Sequence, residues 1–187
     1  MKPFRELSPK RTYKGTKTDY RDYKPFLAED FHHRCGYTDC SDIWFGGKNN
    51  FHIDHFRPWK GEKNGDKLKV DYNNLVYCCS YVNILKSNDK GPFSDPCKVD
   101  YNKLFYRDDM GRIFPIKESE SAVYMYFRMR LYMARYGIIW LLDQLEQRMG
   151  KIAKIIERGN LDPDLSLLLA NLVSEHEKYK KYLSKTL

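Results

Sequence analysis

With 187 residues, 42% of them hydrophobic and 15% aromatic, the chain can bury the core of one compact domain, or of a small domain with an appendage, which excludes disorder as its default state. Thirty-three Lys/Arg against 25 Asp/Glu give a formal charge of +8, which favours polyanionic partners, nucleic acid before a membrane surface. No stretch approaches the roughly 18–20 consecutive apolar residues of a membrane span, the opening MKPFRELSPK does not resemble a signal peptide, and an odd set of five cysteines argues for reduced thiols, so a soluble, cytoplasmic protein without a membrane partner is expected.

Residues 1–30 begin with a basic arm. Eight Lys/Arg and three acids fall in the first 24 positions, with almost no aliphatic residues, so an extended segment is expected there. PFLAEDFHHR (25–34) predicts a short helix opened by Pro25, with Phe26, Leu27 and Phe31 on one side. CGYTDCSDIWFGGKNN is rich in loop signals. FHIDHF reads as a strand bounded by Asn50 and Pro58, GEKNGDK (61–67) as a polar loop, LVYCC (75–79) as a second strand, and SYVNILKS (80–87) as a helix with Ser80 as N-cap. After the connector GPFSDPC, LFYRDDMGRIFPI (104–116) predicts a hairpin within the segment 98–117.

From residue 118 to 187 the pattern is helical. Tyr124, Phe127, Leu131, Ile138, Leu141, Leu142, Leu145, Met149, Ile152 and Ile156 recur at three- and four-residue steps, with Gly137 as the expected break. Gly159 suits a C-cap, and Asp162-Pro163 the start of a last helix ending near Tyr182. The expected class is α+β, a small mixed core at 31–97 with an all-helical C-terminal part.

Chemistry concentrates in the strand–loop–strand–helix segment. Asp54 and His55 adjoin on the first strand, Asn74 precedes the second, and Asn83 and Lys86 lie on the helix. Phosphodiester hydrolysis needs a base to activate water, a divalent cation to stabilise charge on oxygen, and cations to hold the polyanion. Histidine is the natural base near neutral pH, while a carboxylate and an amide oxygen are hard ligands suited to Mg²⁺. Neighbours on a flat strand face opposite ways, so Asp54 and His55 share a site only where the strand twists or ends, as Pro58 suggests. His52, two residues before Asp54, reads as a hydrogen-bonded neighbour. His32, His33 and His176 read as solvated residues.

FHIDHFRP followed by YNNLVYCCSYVNILKSN resembles the signature of HNH endonucleases, over about residues 31–97. The resemblance implies a ββα-metal fold and a metal-dependent endonuclease. It implies His55 as general base, Asp54 and Asn83 as ligands of Mg²⁺ or Mn²⁺, Asn74 as a brace for the histidine loop, and Arg57 and Lys86 as phosphate contacts. Many family members carry a zinc ribbon, of which this chain keeps in register only Cys35 and Cys79. Cys40, Cys78 and Cys97 are the substitutes at hand, but a structural zinc site wants four ligands. The sequence therefore argues against zinc and for Cys35 and Cys79 as buried apolar residues, with Tyr37, Trp44 and Phe45 packing in place of the metal. The opening and the tyrosine-rich arm are similar to small HNH proteins of bacterial anti-phage defence, Septu-like or retron-associated. That similarity implies a defence effector held idle by a partner ATPase, and the helical C-terminal half suits docking or a homodimer. DNA is the favoured substrate. The alternatives are an HNH-type ribonuclease, for example on tRNA, and a non-catalytic nucleic-acid-binding or scaffold protein.

Overall fold

In a computed structural model, residues 1–159 and 162–185 are described. The architecture is mixed α+β, with helix outweighing strand and the strands confined to two small antiparallel sheets. Two compact units divide the chain, one of Met1–Asp109 with Ile113–Tyr132, the other of Met110–Arg112 with the residues from Met133 on. Among the described residues no helix is long and apolar enough to cross a membrane.

In the first unit, strand β1 (Lys2–Pro3) opens the chain and helix α1 (Lys24–Asp30) follows the arm. Strand β2 (Phe51–His55), helix α2 (Gly65–Val70), strand β3 (Leu75–Cys79) and helix α3 (Ser80–Lys86) come next. Strands β4 (Phe105–Arg107) and β5 (Ile113–Pro115) form the expected hairpin, and helix α4 (Glu120–Arg128) ends the unit. β2 pairs antiparallel with β3, with Phe51 opposite Cys79 and His55 opposite Leu75. β3 is buried at every position, as a continuous apolar run should be. α1 presents Leu27 and Ala28 to the core, while Phe26 stays 38% exposed. Gly36 permits the close approach beneath α1: a Cβ there would lie 2.7 Å from both Phe31 and Val76 side-chain atoms.

The basic arm is ordered by long-range contacts. β1 adds to the edge of β4, giving the sheet order β1-β4-β5. Phe4 is fully buried, its ring centroid 5.7 Å from Tyr101 and 5.4 Å from Phe105. The buried Arg107 guanidinium donates to the carbonyls of Phe4 (3.0 Å) and Thr38 (2.8 Å), and Arg5 donates to that of Gly36 (2.7 Å). Arg11 donates to the Leu75 carbonyl (2.8 Å) and pairs with Asp95 (2.9 Å), tying the arm to β3.

Three sequence expectations differ from the structure here. The polar run at 61–67 continues into α2, a helix with only its first residue buried, whose lysines masked it as loop. Ser80 is the first helical residue rather than the cap; Cys79 occupies the cap position without a side-chain bond. In α4 the buried face runs through Ala122 and Met125, leaving Phe127 64% exposed.

The second unit contains helices α5 (Ala134–Glu157) and α6 (Pro163–Ser184), which pack along each other. The helical break falls at Met129–Met133, where Arg130 adopts φ +50°, and not at Gly137, which lies inside α5. Gly137 instead lets another backbone come close: a Cβ there would sit 2.8 Å from the Met110 carbonyl oxygen. Gly159 follows α5 with φ +90°, and Asp162 caps α6 by accepting from the Asp164 amide, with Pro163 in the first turn, as their sequence signals predict.

Candidate active site

β2 ends at His55, and the chain turns away through Phe56–Pro58. Ile53, Asp54 and His55 line one cleft of about 660 Å³, together with Asn83 of α3. A flat strand cannot bring three successive residues to one place. β2 ends at His55, but Asp54 and His55 are both still paired within it, opposite Val76 and Leu75.

Asn74 holds this turn. It is 5% exposed; its Oδ1 accepts from the Arg57 amide (2.8 Å), and its Nδ2 donates to the carbonyls of Arg57 (2.9 Å) and Leu68 (3.0 Å). One side chain thus joins the end of β2 to the C-terminal part of α2. The next carbonyl along, that of Lys69, lies 2.9 Å from His55 Nε2. A carbonyl only accepts, so Nε2 carries the proton and the neutral ring keeps its lone pair on Nδ1. Burial lowers the His55 pKa below the usual 6.5, assisted by Lys86 and Lys69 and opposed by the hydrogen bond to the Lys69 carbonyl.

Asp54 lies under the cleft, 3% exposed. Its Oδ2 accepts from Tyr37 Oη (2.6 Å) and from Lys86 Nζ (3.0 Å), and its Oδ1 lies 3.1 Å from the same ammonium. Burial raises the Asp54 pKa, against the pull of Lys86 and Tyr37. Lys86 is fully buried and also donates to the His55 carbonyl (2.9 Å). The phosphate contact expected of Lys86 therefore does not describe its position: at the last turn of α3 its stem runs inward, and its charge is spent on Asp54. Arg57 is exposed, and its side chain lines a neighbouring cleft of about 440 Å³ with Phe56, Glu62 and Lys90.

Asn83 lies one helical turn before Lys86, its Nδ2 3.2 Å from His52 Nδ1. Among the described residues no donor contacts its Oδ1. Both Asp54 oxygens lie within 3.1 Å of the Lys86 ammonium, and Oδ2 also accepts from Tyr37. An amide oxygen and a carboxylate oxygen are hard donors of the kind a divalent ion completed by water takes, and Asn83 and Asp54 both line this cleft, the carboxylate facing the Lys86 ammonium. The thiols do not form the tetrahedron of a zinc ribbon. Cys35 and Cys79 Sγ lie 3.9 Å apart in the core, Cys40 Sγ is directed to the Thr38 carbonyl and Cys78 Sγ to that of His52. Among the described residues no three or more His, Cys, Asp or Glu side chains gather as a metal site. Tyr37 is fully buried, whereas Trp44 and Phe45 are only partly so.

Sequence reasoning did not place several residues of the cleft, although it reads Tyr20 and Trp59, rings set among basic residues, as able to stack on bases. Tyr37 could be found only by folding, since it reaches Asp54 from another segment. Tyr20, Arg21, Trp59, Lys60 and Lys69 line the cleft. The Tyr20 and Trp59 ring centroids lie 4.8 and 6.1 Å from that of His55. Trp59-Lys60 comes just beyond the Phe56–Pro58 turn that ends the Asp-His strand, and that nearness in sequence was the available signal. No family model matches the chain, and none of the curated proteins or solved structures compared with it is similar.

Proposed function

We propose that the protein is a metal-dependent endonuclease of the HNH type, with β2, β3 and α3 as its ββα core and DNA as its first substrate. The observation that carries this reading is His55 itself: a half-buried imidazole with Nε2 tied to a backbone carbonyl and Nδ1 left as a base, on a cleft shared with Asp54 and Asn83. A histidine that served only packing would not need its tautomer selected beside two oxygen donors and three surrounding cations.

In the proposed reaction His55 Nδ1 takes a proton from water as the water oxygen attacks phosphorus in line. Asn74 acts at a distance, fixing the Leu68–Lys69 backbone that orients the ring. Lys60, Lys69 and Arg21 stand where they can hold phosphate oxygens. Mg²⁺ or Mn²⁺, held by Asp54 and Asn83, would supply positive charge at the leaving oxygen. Lys86 offsets part of the cost of burying the Asp54 carboxylate.

Incubation of the full chain with Mg²⁺ and plasmid DNA, with RNA in parallel, tests the proposal. Cleavage is expected from the wild type and is expected to vanish in His55→Ala, with circular dichroism and melting temperature retained. Undiminished cleavage by His55→Ala would overturn it.

A further inference from the structure

We infer that the cleft accepts a single-stranded segment of polynucleotide, with a base stacked on Tyr20 or Trp59 while its phosphate is held beside His55. The inference rests on the nuclease reading and adds the physical form of the substrate.

Hydrolysis of a phosphodiester calls for a base, a cation and phosphate holders; it has no use for aromatic rings. Yet two rings flank the imidazole, inclined to it by 66° for Tyr20 and 62° for Trp59. Both are partly exposed on the cleft. They arrive from separate parts of the chain, Tyr20 at the start of a short 3-10 turn capped by Asp19, and Trp59 just past the end of β2. Lys69 and Lys60 set their ammonium groups 5.1 and 5.7 Å from the Trp59 ring, and the Arg21 guanidinium lies 5.6 Å from Tyr20. Each ring is thus accompanied by a cation. That pairing of base-sized apolar faces with phosphate-binding charge is how proteins follow single strands, whose bases offer open π-faces. In a duplex those faces are covered by the neighbouring pairs, so the rings would meet only sugar and phosphate. The cleft's volume, about 660 Å³, also falls within the roughly 300–1,000 Å³ of sites that enclose small ligands. That is the scale of a nucleotide.

The charge of the cleft agrees. Among the described lining residues the carboxylate is Asp54, compensated by Lys86, and Arg21 is paired with Asp19 (3.7 Å), so Lys60 and Lys69 stand as the net charge facing a polyanion.

The test is fluorescence anisotropy with the full chain in EDTA, which separates binding from turnover. The probes are labelled oligo(dT) and oligo(rU) of about 12 nucleotides, a length within single-strand site sizes, and a DNA hairpin of matching duplex length. Single strands are expected to bind about tenfold more tightly than the duplex. Trp59→Ala and Tyr20→Ala are each expected to weaken single-strand binding about tenfold, the scale of one lost stack, leaving duplex binding unchanged; Trp59→Phe keeps most of the affinity. The thymidine and uridine probes show which sugar is preferred, and tight binding of either supports the inference. Equal affinity for strand and duplex, or an equal loss on both in Trp59→Ala, overturns it. If the wild type binds single strands in this way but cleaves neither DNA nor RNA with Mg²⁺, the nuclease reading fails and the binding result stands. If it prefers the duplex and still cleaves through His55, only the single-strand inference fails.

Discussion

Asp54 and Lys86 set the electrostatics of the cleft from below. Both are withdrawn from solvent, so neither is tolerable without the other: removing one partner of a buried pair leaves an uncompensated charge and costs about 3–5 kcal/mol. Lys86→Met should therefore lower stability by about that amount in urea denaturation, and the double variant Asp54→Asn/Lys86→Met should recover a large part of the loss. Asp54→Asn should also abolish Mn²⁺ binding in calorimetric titration, a readout that does not depend on turnover. His55 makes a prediction of the opposite kind, about pH. Its pKa lies below that of a free imidazole, so the unfolded chain binds the proton more readily than the folded one. Its contribution to stability is therefore complete above about 6.5, the ordinary histidine value, and is lost as pH falls below that value. The proposed reaction carries the same sign: its kcat/KM should be flat above about pH 6.5 and fall only at lower pH. An acid limb centred above 6.5 would show that another group limits the reaction.

The elements that local signals encode were the most legible. The apolar run of β3, the 3.6-residue spacing of α3, the turn between β4 and β5 and the Asp162-Pro163 start of α6 all depend on residues a few positions apart. What escaped was built from distance. Lys86 closes a helix, where a lysine ordinarily reaches water, and nothing local says that Asp54, 32 residues earlier, would draw it inside. The arm looked like a tail because its partners are remote: Arg11 meets Asp95 across 84 positions, and Arg107 meets Phe4 across 103. Within the site, Asp54, His55, Asn74 and Asn83 were legible as residue types in order, while the Lys69 carbonyl that selects the histidine tautomer carries no side-chain signal at all. At this scale the Asn74 clamp predicts a kinetic effect. Asn74→Ala leaves an amide and two carbonyls without their partner, about 1–3 kcal/mol of stability for a buried unsatisfied group, and releases the Leu68–Lys69 backbone. On the proposed mechanism its kcat should fall more than its KM rises, because the orientation of His55 is lost while Lys60, Lys69 and Arg21 remain on the cleft.

The first unit is held together by both ends of its own sequence, which gives the arm a structural role besides any contact with substrate. Phe4 fills a pocket between Tyr101 and Phe105, so Phe4→Ala should cost about 3–5 kcal/mol, the range for a large buried aromatic, measured by thermal or urea unfolding. A loss below about 1 kcal/mol would mean the arm is only laid on the surface. The +8 charge belongs to a different scale, since it is spread over the chain and acts through the field around it. Raising salt should therefore weaken nucleic-acid binding by the wild type and by Trp59→Ala with similar slopes, because the ring contributes no charge.

The dependence of Phe4 on Tyr101, Phe105 and Arg107 also fixes an order of events during synthesis. Phe4 has nowhere to settle until the hairpin about a hundred positions later has been made. Tyr20 does not wait for the hairpin, because it sits in the turn that leads into α1, and α1 packs on β3.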